Sequence, residues 1–156
     1  MKEIEKLFDI VNQYEERYPE QLIALAAKRD GKWIYFSPRQ YKELTDKISY
    51  ALIKLGINPG DRVGIISTNR PEWNMLDMAI MQIGAITVPV YPTISENDYR
   101  YILNHSGMKM VVVEGAEVMN KIAAVMPDLP EMKYVYTFIN REKLHYSAQL
   151  IELGAQ

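Results

Sequence analysis

The chain of 156 residues contains no cysteine. That excludes a disulfide framework, a thiolate metal site and a cysteine nucleophile. It fits a reducing compartment, although disulfide-free secreted proteins also exist. Histidine is scarce, with only His105 and His145. Neither has metal-ligand spacing or a neighbouring nucleophile. An excess of one charge is missing too: 18 Lys+Arg stand against 20 Asp+Glu, for a net charge of -2. No nucleic-acid partner is expected from such a balance, because that function needs a clearly basic face. Long hydrophobic runs are also lacking. The most apolar stretch, Met75 to Tyr91, is broken by Asp77, Gln82, Gly84 and Pro89. It falls short of the roughly 20 residues that span a bilayer. It reads as a buried helix followed by a buried strand, so no transmembrane segment is expected. The N-terminus, MKEIEKLFDIVNQYEERYP, is charged throughout and does not read as a signal peptide. The expected location is cytoplasmic.

Phosphate signatures are absent as well. No G-x-G-x-x-G follows a strand, and no G-x-x-x-x-G-K-[ST] occurs. After the first parallel strand the chain reads Ser67-Thr68-Asn69-Arg70-Pro71. That turn has no glycine, and Pro71 removes one amide donor. Ser67 and Thr68 match a flavodoxin-type phosphate loop only in part. Arg70 could attract an anion to the start of a helix, or the segment simply turns a strand into a helix.

What is present is an ordinary globular composition, 48% hydrophobic and 24% charged. The length suits one domain, able to bury about 70% of its unfolded surface. Ile4, Leu7, Phe8, Val11 and Tyr14 share one face of a predicted helix over residues 2–17, ended by Pro19. Asp30-Gly31 separates two apolar runs, 21–28 and 32–36, and predicts a β-hairpin. Ser37-Pro38-Arg39-Gln40 reads as a capping box opening a helix that ends at Gly56. Pro59-Gly60 marks a turn.

From Arg62 onward strands and helices alternate. Strands are predicted at 63–67, 85–90, 110–113 and 134–138. Helices are predicted at 71–83, from Ser95 to Gly107, and at 116–126, with a weak helical signal at 147–153. This alternation with short connections predicts an α/β fold, a parallel sheet flanked by helices.

Candidate chemistries can be weighed residue by residue. Glu114 is the one acid at the C-terminal end of a predicted strand, too little for a divalent-cation site. Asp61 and Asp98 read as turn and cap residues. His105 sits where an imidazole can bond the last carbonyls of a helix. The nine methionines, several between Met75 and Met81, read as core packing rather than a soft binding surface. Tyr91 and Tyr99 to Tyr101 read as partly buried packing, with ligand stacking as the alternative.

The order of the motifs carries more. Phe36-Ser37-Pro38-Arg39-Gln40-Tyr41-Lys42-Glu43-Leu44 is similar to a "T-Y-x-E-L" helix start. Leu55-Gly56-Ile57-Asn58-Pro59-Gly60-Asp61-Arg62-Val63-Gly64-Ile65 matches "L-G-x-x-x-G-D-R-V-A-I". Asn69-Arg70-Pro71-Glu72-Trp73 matches "N-x-P-E-W". Gly84-Ala85-Ile86-Thr87-Val88-Pro89-Val90-Tyr91-Pro92-Thr93 matches "G-A-x-x-V-P-x-x-P-T", with Ile102-Leu103-Asn104-His105-Ser106-Gly107 after it. In this order and spacing they resemble the start of the adenylate-forming acyl-activating superfamily, the AMP-dependent synthetases and ligases. Asn-Arg-Pro-Glu-Trp and Val-Pro-Val-Tyr-Pro-Thr look most like its long-chain fatty acid–CoA ligases.

The resemblance implies a three-layer, flavodoxin-like part of a large N-terminal domain. Residues 1–36 would form the helix and hairpin, and residues 37–156 an incomplete α/β subdomain of the adenylation domain. It implies a parent enzyme using a fatty acid, ATP, Mg²⁺ and coenzyme A: a carboxylate attacks the α-phosphate, and the CoA thiolate then displaces AMP. The family's phosphate loop ending in Pro-Lys-Gly, its later adenine and ribose motifs and its C-terminal lysine do not occur here. No catalytic, cofactor-binding or metal residue is therefore carried over, and this chain alone is expected to be inactive and to need no cofactor. Peripheral membrane contact and a homodimer are compatible with the resemblance. The other readings are a stand-alone flavodoxin-like nucleotide or flavin binder and a non-catalytic interaction module.

Overall fold

A computed structural model describes residues 3–138 and 147–156. Helix α1 spans Leu7–Arg17, and strands β1 (Leu25–Arg29) and β2 (Lys32–Phe36) form an antiparallel hairpin. Then come α2 (Pro38–Lys54), β3 (Arg62–Ile66), α3 (Pro71–Gln82), β4 (Ile86–Val90), α4 (Glu96–Ser106), β5 (Met110–Val113), α5 (Ala116–Val125), β6 (Tyr134–Thr137) and α6 (Ser147–Ala155). β3 to β6 make a parallel sheet of order β4-β3-β5-β6. The α/β architecture expected from the alternating pattern is the one observed.

Local chemistry accounts for the boundaries. Asp30 and Gly31 both take positive φ, 49° and 77°. That is the turn geometry whose twist matches a two-residue hairpin. Ser37 caps α2 by accepting from the Gln40 N–H at 3.2 Å, and the Gln40 side chain accepts from the Ser37 N–H at 2.9 Å. Ser95 and Asp98 repeat the device at α4. Gly107 ends α4 in the left-handed conformation. Pro127 stops α5, since it brings no N–H, and Met126–Asp128 continue as a 3-10 turn that the sequence pattern did not predict.

Each sheet face has its own core. On one face α3 brings Met75, Leu76, Ala79 and Ile80 to Val63, Ile65, Met110 and Val112, joined by Leu52 of α2 and Leu150 of α6. On the other, Tyr99 and Leu103 of α4 and Val118, Ile122 and Val125 of α5 cover Ile66, Val111 and Val113. The central strands are apolar on both sides because both sides are covered. Gly64 belongs to this packing: a Cβ there would stand 2.6 Å from the Met108 sulfur, so the missing side chain makes room for a buried methionine.

The leader departs from expectation in its bounds: α1 starts at Leu7 rather than at residue 2. Of the face predicted for the first helix, Val11 alone is fully buried; Ile4 and Leu7 are exposed, Leu7 by 61%. α1 packs against α2 and α3, outside the helical layer, and so reaches the core with few of its apolar residues. The first strand also starts later than predicted, at Leu25. Residues before it turn instead, with the Gln21 N–H closing on the Tyr18 carbonyl.

Candidate functional site

A parallel sheet aims the N-termini of its following helices at the C-terminal ends of its strands. Where strand order reverses, the loops leaving those ends part and open a crevice. Here β3 connects outward to β4, and the chain then crosses back to β5 on β3's other side. The crevice therefore lies between the turn after β3, Ser67–Arg70, and the turn after β5, Glu114–Gly115.

The structure closes it. Glu114 accepts from the Thr68 hydroxyl at 2.5 Å and from the Thr68 N–H at 3.3 Å. Ser67 turns its hydroxyl to the Thr68 carbonyl. The carboxylate thus occupies the donors that a phosphate would use. Arg70, the candidate anion ligand, is engaged elsewhere. Its Nε donates to Glu72 at 3.1 Å, and its guanidinium lies 5.0 Å from the centre of the Phe138 ring. Glu72 also accepts from Arg29 of the hairpin. Burial pushes the Glu72 carboxyl up, but the two arginines and its own backbone N–H hold it below the ordinary range. The chain Arg29–Glu72–Arg70–Phe138 therefore ties hairpin, helix α3 and sheet end together. Sequence reasoning missed this role, although two of the residues it singled out, Arg70 and Glu72, are at its centre.

Beside the crevice, Ser67, Asn69, Trp73, Pro89, Val90 and Tyr91 line a cleft of about 270 Å³. A wider groove of about 500 Å³ lies on α1, lined mainly by Ile4, Ile10, Tyr14 and Tyr18. Arg17 is the one ionisable group besides its tyrosines among the described residues lining it. Among the described residues, no three His, Asp or Glu side chains converge in a way that could hold a metal ion.

The remaining candidates take structural places. Asp61 accepts from the Asn58 N–H at 2.8 Å and pairs with Lys109 at 2.7 Å, at the opposite end of the sheet. The Lys109 hydrogen bond, then the backbone bond, hold its carboxyl below the usual range. Next to it, Arg62 donates to the Ser106 carbonyl at 2.7 Å and the Gly107 carbonyl at 3.0 Å. That is the helix-end role expected of His105, which is exposed and stacked on Tyr101 instead. His145 lies outside the described residues. Tyr99, expected to be partly buried, is fully buried, and its hydroxyl donates to the Tyr91 carbonyl at 3.2 Å. Tyr91 and Tyr101, expected to be partly buried, are 80% and 68% exposed. Met75 and Met108 are core residues.

A family model described as AMP-binding enzyme matches residues 11–152. The chain belongs to that family. Among curated relatives, fatty acyl-CoA synthetase A of Dictyostelium discoideum is 40% identical over 98 residues, 63% of this chain and 14% of the relative. A long-chain-fatty-acid–CoA ligase of Mycobacterium tuberculosis is 33% identical over 106 residues, 68% of this chain and 18% of the relative. The chain thus matches less than a fifth of the length of each. A solved long-chain-fatty-acid–CoA ligase from Archaeoglobus fulgidus superposes with a TM-score of 0.79 at 20% identity, over 95% of this chain and 30% of that one. An anthranilate CoA ligase bound to anthranoyl-AMP gives 0.75 at 21%, over 91% and 27%. At these identities the superpositions speak for the fold of the chain alone. Among its described residues, no helix is long and apolar enough to cross a membrane.

Proposed function

We propose that this chain is the N-terminal scaffold of a long-chain fatty acid–CoA ligase. The parent would join a fatty acid to ATP as acyl-adenylate, with Mg²⁺, and pass the acyl group to coenzyme A. The reading includes a cytoplasmic location. Its support is the family membership together with the ligases that recur among the relatives.

The chain itself is read as catalytically silent. One observation carries this: the crevice at the sheet's switch point is filled by the Thr68–Glu114 contact. A carboxylate there repels a polyphosphate, and Arg70 is already neutralised by Glu72. The residues present do not fit ATP and Mg²⁺, so no step of the reaction is assigned to them. The same contact speaks against a flavodoxin-like nucleotide binder, which would need those amides and hydroxyls free.

Two measurements test the reading. Purified chain with ATP, Mg²⁺ and palmitate is expected to release no pyrophosphate above buffer; release proportional to chain concentration refutes its silence. The gene read past the codon for Gln156 is expected to continue into a Ser/Thr/Gly-rich loop with Pro-Lys-Gly. A stop codon there refutes the scaffold reading.

A further inference from the structure

Strands β4 and β2 treat their open edges differently. At β4 the Ile86 N–H bonds the Asp61 carbonyl, which turns Ile86, Val88 and Val90 toward β3. Thr87 and Pro89 then face the open side, and Pro89 has no N–H to offer. That edge is blunted against pairing. The hairpin has no such guard on β2. Its two-residue turn closes on the pair Arg29 and Lys32, so alternate residues of β2 bond to β1. Lys32, Ile34 and Phe36 face inward, and the N–H and C=O groups of Trp33 and Tyr35 face away. Among the described residues β2 has no second neighbour, and no backbone bond outside the hairpin involves Trp33 or Tyr35. The sequence Lys-Trp-Ile-Tyr-Phe holds neither proline nor glycine. Trp33 and Tyr35 are 59% and 51% exposed, and their rings stack 6.4 Å apart at 15°. A two-stranded hairpin with an open, aromatic edge is an incomplete sheet.

We infer that the β2 edge pairs with the β2 edge of a second copy of this chain, forming a four-stranded antiparallel sheet across a two-fold axis through Ile34. The register decides the occupant. About that axis Trp33 lies opposite the partner's Tyr35, and Tyr35 opposite the partner's Trp33. These are the outward-facing residues, so each pair exchanges both of its backbone hydrogen bonds. Aromatic faces aromatic on the exposed face, a favourable cross-strand combination. Lys32 falls opposite the partner's Phe36, so no like charges meet. An isologous contact requires this kind of self-complementarity. The other hairpin edge carries exposed Lys28 beside Ala26. In the outward-facing row of β1, Ala26 and Lys28 stand where β2 has Tyr35 and Trp33, so the aromatic pairing that favours β2 is missing there and a lysine discourages growth. The inference does not depend on the ligase reading.

Sedimentation of the purified chain over rising concentration tests it. The expected mass moves from 18.1 kDa toward twice that value. Two double variants read the register. W33K/Y35E places Lys opposite Glu in both symmetric pairs, and W33K/Y35K places Lys opposite Lys. The first is expected to associate at least about tenfold more tightly than the second. Tyr35→Pro removes an outward N–H while leaving the hairpin's own bonds intact, and is expected to stay monomeric. Circular dichroism confirms that each variant folds; if a double variant does not, Tyr35→Pro decides. A wild-type chain that is monomeric up to submillimolar concentration overturns the inference. So do double variants that associate equally, or a Tyr35→Pro chain that dimerises like wild type.

Discussion

Arg62 sits in the Gly60-Asp61-Arg62-Val63 segment, and its geometry makes a quantitative claim. Its guanidinium reaches three carbonyls: Ser106 at 2.7 Å, Gly107 at 3.0 Å and, more weakly, Gly60 at 3.3 Å. The first two are at the C-terminal end of α4, where carbonyls lack helical donors and the macrodipole favours a cation. Charge-assisted bonds of this kind contribute about 1.5–3 kcal/mol each when buried. Partial exposure lowers that, so Arg62→Ala should cost about 2–3 kcal/mol in total. With a urea m-value of about 2 kcal/mol/M, the unfolding midpoint should fall by about 1–1.5 M. Arg62→Lys keeps the charge but loses the fork, and should recover less than half of that loss. Gly107 supplies an internal control. Its φ is +56°, and a Cβ there would stand 2.8 Å from the Arg62 Nη2. Gly107→Ala should therefore displace the guanidinium as well as strain the backbone. The two substitutions together should cost less than their sum. A midpoint for Arg62→Ala within about 0.25 M of wild type, equivalent to about 0.5 kcal/mol, would refute the reasoning. So would strict additivity with Gly107→Ala.

Two further predictions concern charge. Burial, then the nearby Asp77, push the Tyr41 hydroxyl up from 10.0 to about 12. The unfolded chain releases that proton first, so stability should fall as pH rises from about 10 toward 12, at up to about 1.4 kcal/mol per pH unit. Tyr41→Phe should flatten that part of the profile in thermal melts while leaving the neutral-pH midpoint nearly unchanged; an unaltered alkaline slope refutes the assignment. Glu72→Gln removes the acceptor charge shared by Arg29 and Arg70. It should cost about 1–2 kcal/mol and speed amide exchange in β1 and β2 more than in the parallel sheet. Uniform exchange across both sheets would mean that Glu72 does not anchor the hairpin.

How much could be read in advance differs by element, and the reason is physical. The capping boxes at Ser37 and Ser95 and the turn at Asp30-Gly31 are local interactions, so they are legible in three or four consecutive residues. The parallel strands were legible because burial on both faces leaves unbroken apolar runs such as Met110 to Val113. The apolar stripe of α1 forecast a helix and left its burial open, because periodicity reports which face is apolar and not whether a partner covers it. The candidate site was legible mainly in what it lacks, a glycine in the turn after β3. The Glu114–Thr68 contact that closes the crevice joins residues 46 positions apart, and no local pattern reveals such a meeting. The same holds for Arg29 reaching Glu72 across 43 positions.

The empty side of Gly64 has its own consequence. The family-like pattern carries alanine where this chain has glycine, and the volume released there is taken up by the Met108 thioether. Positions 64 and 108 therefore trade atoms across the strand. A methyl group added at 64 must be matched by a shorter or differently bent side chain at 108. The space for any side chain at position 64 is thus set by how a methionine 44 residues later is folded.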